Sequence, residues 1–80
     1  MANMRISLRF PKKLIQEPII YQLGHDFKVI TNIRRANIDE DIGWMVLELE
    51  GEMDEIERAM ENLNEQGVKV DPIEGDIVAG

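Results

Sequence analysis

The stretch from Phe27 to Gly51 is the feature around which the rest of this chain is organised. It reads as two long strands joined by an acidic turn, with one helix pattern before it and another after it. A polar and cationic run from Asn32 to Arg35 interrupts the first of these strands. We therefore expect this strand to carry any contact that the chain makes with a ligand or a partner.

The length and composition indicate one small domain with one core. The chain has 80 residues, and a hydrophobic content of 44% is ordinary for a globular protein. We expect a single domain over residues 1–80, with an ordered core at about 4–73 and a frayed tail at 74–80, where no pattern is visible.

The absence of cysteine excludes several kinds of site. Without cysteine there is no disulfide, no thiolate metal site, no iron–sulfur ligand and no cysteine nucleophile. We also find no catalytic constellation, so we expect no enzyme activity, no cofactor and no metal. A cysteine-free domain without a signal-peptide pattern is typical of the cytoplasm.

The charge and the hydropathy pattern exclude two classes of partner. A formal net charge of -7 works against nucleic acid, because that binding depends on Lys and Arg side chains that displace counterions. No apolar run approaches the roughly 20 residues that span a bilayer, so we expect no direct membrane insertion.

Four segments show strand patterns: Met4–Phe10, Lys28–Ile38, Trp44–Glu50 and Val68–Ile73. The second is irregular, because its apolar residues change sides partway along. A β-bulge near Arg34 and Arg35 would restore one buried face, since one extra residue moves every later side chain to the other face. Bulges favour sheet edges, so the irregularity indicates an edge strand.

Two segments show helix patterns. Pro18 suits a first helical turn, and the apolar stripe that follows contains Ile19 and Leu23. Gly24 within this helix is unfavourable, and we explain it by close packing of the helix on a sheet. The second helix begins near Asp54 and ends at Gly67, which suits a left-handed helix end.

The turn between the two central strands is acidic. Asp39, Glu40 and Asp41 precede Gly43, which is free to take a positive φ angle there. Three neighbouring carboxylates raise the alternative of a calcium loop, but the spacing lacks the glycine and the distal glutamate of an EF-hand. We therefore expect a solvated hairpin tip.

The order of elements predicts a ferredoxin-like βαββαβ sandwich of the α+β class. Two right-handed βαβ crossovers give an antiparallel sheet in the order 4-1-3-2, with both helices on one face. This order places the second strand at an edge. Trp44 and Val46 lie on the open face of the sheet, where a large aromatic side chain indicates a partner surface.

A set of residues from about Ile6 to Val70 matches the pattern of a known family: Leu8, Phe10, Pro18-Ile19-Ile20, Leu23, Phe27-Lys28-Val29, Asn32-Ile33, Gly43, Leu47, Leu49-Glu50-Gly51, Ala59, Leu63 and Gly67-Val68-Lys69-Val70. With these residues the chain resembles the NIL domain, a ferredoxin-like relative of the ACT regulatory domains. Such domains occur in the ATPase subunit of methionine importers and ahead of iron–sulfur ferredoxin modules.

The resemblance implies a homodimer that pairs through its sheets, with methionine bound near the second strand. It also implies an ATPase or ferredoxin partner module. The expected ligand-binding residues are Asn32, Ile33 and Arg34, and the expected dimer surface comprises Ile30, Asn32, Arg34, Ala36, Trp44 and Val46. A carboxamide such as that of Asn32 can donate to one charged end of an amino acid and accept from the other.

The sequence departs from the family pattern in two ways. Arg34 stands where the family prefers an apolar residue. A charge at this position would remodel or abolish an apolar pocket for a thioether. The chain also contains neither a phosphate-binding G-x-x-x-x-G-K-[ST] loop nor ferredoxin cysteines.

Two functions therefore stay open. The first is a regulatory domain that dimerises and senses an amino acid such as methionine, with Asn32 in contact with the ligand. The second is an interaction or dimerisation module without a small-molecule ligand, in which Asn32 only hydrogen bonds to edge-strand backbone.

Overall fold

The chain folds in the order strand, helix, strand, strand, helix, strand, as its patterns predict. The computed structural model describes the backbone of residues 1–79 and the side chains of residues 1–73. The elements are β1 Ala2–Pro11, α1 Ile19–Asp26, β2 Val29–Ile38, β3 Ile42–Gly51, α2 Met53–Gln66 and β4 Lys69–Ala79. A 3-10 turn at Lys12–Leu14 connects β1 to α1.

The four strands form one sheet in the order β2-β3-β1-β4, and every neighbouring pair is antiparallel. This is the predicted order read from the opposite edge, so the ferredoxin-like prediction is confirmed. β1 and β3 are central, and β2 and β4 are the two edges. β2 therefore exposes one side of its backbone, as the sequence indicated.

The core lies between the sheet and the two helices. The fully buried side chains come from both central strands, both helices and the residue just before the last strand: Ile6, Leu8, Leu23, Leu47, Leu49, Ile56, Leu63 and Val68. Full burial of one such side chain stabilises a fold by roughly 1.5–3 kcal/mol. The alternate residues of β1 and β3 point away from the helices and form the open face of the sheet.

A bulge interrupts β2 where it was predicted. Ile33 lies opposite Leu47, but the next pair along the ladder joins Arg35 to Val46, so Arg34 is the extra residue. As a result Val29, which precedes the bulge, and Ile38, which follows it, lie on the same side of the sheet. The bulge thereby keeps Ile33, Ala36 and Ile38 on the side that faces the helices, together with Val29.

The hairpin turn is held by a side chain rather than by a glycine. The Asp39 carboxylate Oδ1 accepts hydrogen bonds from the backbone N–H groups of Asp41 and Ile42, at 2.9 and 2.8 Å. Gly43 lies within β3 and does not have a positive φ, so the prediction for Gly43 is wrong. An aspartate that bonds to backbone two residues on makes the turn without a left-handed residue.

The last strand is longer than predicted. We expected a frayed tail at residues 74–80, but the backbone of β4 continues to Ala79 and pairs with the start of β1, with Ala79 opposite Ala2. Pro72 fits within this strand because β4 is an edge and its ladder with β1 is irregular directly after Pro72, which lies opposite Ile6. Gly80 lies outside the described residues.

Two glycines have different roles. Gly67 ends α2 with a φ of 102°, which confirms the predicted left-handed helix end. Gly24 is exposed, and a Cβ atom there would lie 3.8 Å from the Thr31 side chain, which is an ordinary contact. Close packing therefore does not explain Gly24, and that prediction is wrong.

We predict that Gly24→Ala stabilises the protein by about 0.5–1 kcal/mol, because alanine is the better helix former and the added methyl group has space. The matched control is Gly67→Ala, which places a side chain in the left-handed region and costs roughly 1–2 kcal/mol. Urea denaturation followed by circular dichroism measures both changes. Destabilisation by Gly24→Ala would contradict the prediction.

Candidate functional site

The bulge in β2 separates the three predicted ligand-binding residues. Asn32 lies opposite Glu48 and therefore belongs to the open face of the sheet. Ile33 lies opposite Leu47, on the side of the helices, and Arg34 is the extra residue of the bulge. All three are exposed. The structure thus brings them together along the strand but not on one face.

Asn32 begins a polar row that crosses the open face. Glu48 is its neighbour on β3, and Arg5 is the neighbour of Glu48 on β1. The Arg5 guanidinium contacts the Glu48 carboxylate, with 3.4 Å between Nε and Oε2. The row therefore combines a carboxamide, a carboxylate and a guanidinium, which are groups that bind the ammonium and carboxylate ends of an amino acid.

The polar row is not part of either cavity found among the described residues. One cavity lies between the end of β1, α1 and the hairpin, and the other lies between Lys12-Lys13 and Asp39-Glu40. Neither includes Asn32. Small-molecule sites are usually concave and bury most of the ligand. A ligand on the polar row of one copy would stay largely in solvent.

The predicted dimer surface also divides at the bulge. Ile30, Asn32, Trp44 and Val46 lie on the open face, but Ala36 pairs with Met45 and lies on the side of the helices. The open face carries Arg35, opposite Val46, and Asn37, opposite Trp44. Sequence reasoning missed these two residues, although the predicted bulge moves every residue after it to the other face.

A side chain from α2 holds the beginning of β2. The Glu55 carboxylate accepts a hydrogen bond from the backbone N–H of Lys28, at 2.9 Å, and also contacts the Arg58 guanidinium. Arg58 in turn lies over the Phe27 ring, 5.7 Å from its centroid. The Lys28 N–H and then Arg58 lower the pKa of Glu55 from its ordinary value of 4.5. These contacts fix the position where the edge strand starts.

The acidic hairpin tip shows no metal-binding geometry. The backbone N–H groups of Ile42 and Asp41 lower the pKa of Asp39, whose carboxylate they occupy. Within the part of the chain that the structure describes, no group of three His, Asp or Glu side chains is arranged to hold a metal ion. No helix among those residues is long and apolar enough to cross a membrane.

The sheet order, the two helices on one face and the exposed edge define a ferredoxin-like α+β domain. The profile of the NIL domain matches residues 4–72. The chain therefore belongs to the NIL domain family, as the resemblance indicated.

Similar proteins agree with this assignment. The chain is 40% identical over 63 residues to the methionine import ATP-binding protein MetN of Helicobacter pylori strain J99, and 38% identical over 63 residues to that of Helicobacter acinonychis. Each match covers 74% of this chain, and the chain spans only 19% of the length of these curated relatives.

Solved structures share the fold. The C-terminal domain of an ABC transporter ATP-binding protein from Enterococcus faecalis matches with a TM-score of 0.80 and 25% identity, over 90% of this chain and 84% of that one. The de novo designed protein Foldit4 matches with a TM-score of 0.61 and 11% identity, over 99% of this chain and 97% of that one. Because a designed protein has the same fold, the fold alone does not define a function.

We predict that Glu55→Gln reduces the dependence of stability on pH. The folded-state pKa of Glu55 is lowered, so its contribution to stability is fully present above 4.5 and is lost as the pH falls through the folded-state value. Glutamine still accepts the Lys28 N–H but does not titrate in this range. The measurement is the urea midpoint between neutral pH and acid.

The control for this experiment is Glu57→Gln, at an exposed position on the same helix. We expect the wild type and the control to lose stability in parallel as the pH falls, and Glu55→Gln to lose less. Parallel loss in all three proteins would contradict the assigned role of Glu55.

Proposed function

We propose that this chain is a non-catalytic regulatory domain that pairs with a second copy along β2 and holds an amino acid such as methionine between the two copies. Membership of the NIL family carries this proposal, because the relatives are methionine import ATP-binding proteins. The proposal places the domain in the cytoplasm as a module of, or a partner for, an ATPase.

The chemistry of the polar row supports an amino-acid ligand. The Glu48 carboxylate suits an ammonium group, and the Arg5 guanidinium suits a carboxylate. Asn32 stands at the edge beside them and can donate and accept at the same time. The Arg5–Glu48 contact is part-exposed, so a ligand can replace it without the cost of breaking a buried ion pair.

The exposure of Asn32 supports a site that needs two copies. The polar row lies outside the two cavities described above. A second copy paired along β2 would place its own side chains beside Asn32 and exclude water from that end of the row. Ligand binding and dimerisation would then stabilise each other, because each adds to the same interface.

Arg34 stands where the family prefers an apolar residue, but its position in the bulge makes it less of an obstacle to an apolar pocket for a thioether. Arg34 is the extra residue of the bulge and has no partner in the β2–β3 ladder. It therefore does not occupy a regular position on the open face beside Asn32. Ile30, which lies on the open face at the opposite side of Asn32, is the exposed apolar residue that suits a thioether.

The second candidate function is a pairing module without a small-molecule ligand. The edge position of β2 favours it, since an exposed edge strand can pair with another chain through its backbone alone. In that case Arg5 and Glu48 form an ordinary cross-strand pair that stabilises the sheet. The two candidates differ in whether an amino acid changes the dimer.

We predict that Asn32→Ala removes the response to methionine and changes stability little, because Asn32 is exposed and no side-chain hydrogen bond to it is found among the described residues. Titration of the labelled protein with L-methionine, followed by amide shifts in NMR, measures the response. The wild type should show shifts between Ile30 and Arg35 and a Kd below about 1 mM, which corresponds to about −4 kcal/mol.

The control for this titration is Asn37→Ala, a second asparagine on the open face of β2. It should keep the response. Wild-type protein that shows no shifts at several millimolar methionine would exclude the amino-acid ligand and leave the pairing module. A large loss of stability in Asn32→Ala would instead assign Asn32 a structural role.

We predict that Ile30→Lys weakens the dimer about tenfold or more, because a lysine on an edge strand disfavours pairing with a second edge. Sedimentation velocity over a series of protein concentrations measures the dissociation constant. The control is Ile42→Lys, which changes an equally exposed isoleucine away from β2. A wild-type protein that stays monomeric at high concentration, with and without methionine, would contradict pairing along β2.

A further inference from the structure

An apolar cleft lies on the helix side of the sheet, at the end nearest the hairpin. It has a volume of about 210 Å³ and runs between the end of β1, the beginning of α1 and the end of β2. Its walls are almost entirely apolar and include Phe10, Ile15, Ile20, Tyr21 and Ile38. Glu17 is the charged residue among those that line it. The cleft lies on the opposite side of the sheet from the polar row.

The cleft exists because α1 is too short to cover the strand beside it. Eight residues of helix span about 12 Å, whereas ten residues of strand span about 33 Å. The second half of β2 therefore has no helix above it, and Ile33, Ala36 and Ile38 stay exposed on the helix side. Tyr21, at the mouth of the cleft, is 72% exposed. The uncovered strip continues the cleft along β2.

The size of the cleft suits side chains rather than a cofactor. Sites that enclose a drug-sized molecule measure roughly 300–1,000 Å³, so about 210 Å³ accommodates one or two bulky apolar side chains. A helix laid on the uncovered strip would continue the existing layer of helices on this face and would insert such side chains at successive turns.

The charges around the cleft are mainly negative. Glu17 lines it, and Asp39 and Glu40 line the adjoining depression together with Lys12 and Lys13. The side chain of Lys12 is paired with Asp41, at 3.3 Å. The carboxylates of Glu17, Asp39 and Glu40 therefore outnumber the remaining positive charge, that of Lys13. Opposite charges across an interface favour encounter and disfavour partners of the wrong sign.

We propose that this cleft and the strip beside it form a docking site for a basic amphipathic helix of a partner protein. The apolar face of that helix would insert bulky side chains into the cleft, and its Lys or Arg residues would lie against Glu17, Asp39 and Glu40. A second copy of this chain fits poorly as the occupant, because α1 carries no Lys or Arg and α2 carries only Arg58, so neither of its helices is basic. The inference does not rest on the proposed function, since no residue of the polar row takes part in it.

The test uses a synthetic amphipathic helix with leucines at i, i+3, i+4 and i+7 and lysines on its other face. A second peptide carries glutamates in place of the lysines. NMR titration of the labelled protein gives both the affinity and the residues that respond. We expect the lysine peptide to shift the amides of Ile15, Ile20 and Ile38, to leave Asn32 unchanged, and to bind about tenfold more tightly than the glutamate peptide.

Two variants on the same strand provide a matched comparison. Ile38→Ser changes a residue of the cleft that is 52% exposed, and Ile30→Ser changes one on the open face that is 55% exposed. Because both are largely in solvent, neither substitution removes a side chain of the core. We expect Ile38→Ser to weaken the lysine peptide about tenfold and Ile30→Ser to leave its affinity unchanged. Tyr21→Ala, at the mouth, should weaken it as well.

Three outcomes would overturn the proposal. Equal affinity for the two peptides would exclude a basic partner. Equal effects of Ile38→Ser and Ile30→Ser would place the binding outside the cleft. Shifts of Ile15 and Ile20, which lie in the cleft but not on β2, that appear with rising protein concentration and no peptide would identify a second copy as the occupant instead.

Discussion

β1 and β3 pair along their whole length, from Ala2 opposite Gly51 to Pro11 opposite Ile42. This register places Ile6 opposite Leu47 and Leu8 opposite Met45, and all four side chains are buried beneath the helices. Both edge strands pair with one member of this central pair, and both helices pack on its apolar face. A shift of one residue in this register would move the apolar side chains to the open face, so the position of every other element depends on it.

The bulge in β2 is the second constraint, and it follows from the first. β3 keeps its alternation, so its neighbour must place its apolar residues on the same side of the sheet. In β2 those residues are Val29 and Ile33 before the interruption and Ala36 and Ile38 after it, which is one residue out of phase. The extra residue Arg34 absorbs that difference. The cost is one unpaired position in the ladder, which an edge strand tolerates because only one of its sides is paired.

The sequence predicts those features of the fold that depend on the alternation of strand residues and on the spacing of helix residues. The strict alternation of Met4 to Phe10 defines a central strand, and the misphased alternation of β2 locates the bulge to within two residues. The hairpin shows where this reasoning ends. A glycine near a turn predicts a positive φ, but here the Asp39 carboxylate holds the turn through hydrogen bonds to two backbone N–H groups. The sequence alone does not distinguish a turn formed by a glycine from one formed by an aspartate. The pairing of residues after Ile73 with the start of β1 was not predictable from their own pattern.

The sequence predicts part of the polar row but none of the cleft. Asn32 and the edge position of its strand follow from the sequence, whereas the polar row follows only from the register that sets Glu48 between Asn32 and Arg5. The cleft was not predictable, because it arises from a difference in length between α1 and β2. No residue of the cleft is unusual by itself: Phe10 and Ile20 read as ordinary core residues in the sequence.

The polar row and the cleft use opposite faces of one strand, and their separation decides how they can influence each other. Asn32 and Ile38 are six residues apart, which is about 20 Å along a strand. The Debye length at physiological ionic strength is about 8 Å, so charges at the two sites are largely screened from each other. The backbone of β2, which carries both Asn32 and Ile38, is a direct path for coupling between the two sites. The bulge at Arg34 lies between them, and it is the point where the register of this strand departs from a regular ladder. A partner that binds at the cleft and changes the geometry of the bulge would therefore shift Asn32 on the open face, and a ligand at Asn32 would shift Ile38 in the same way.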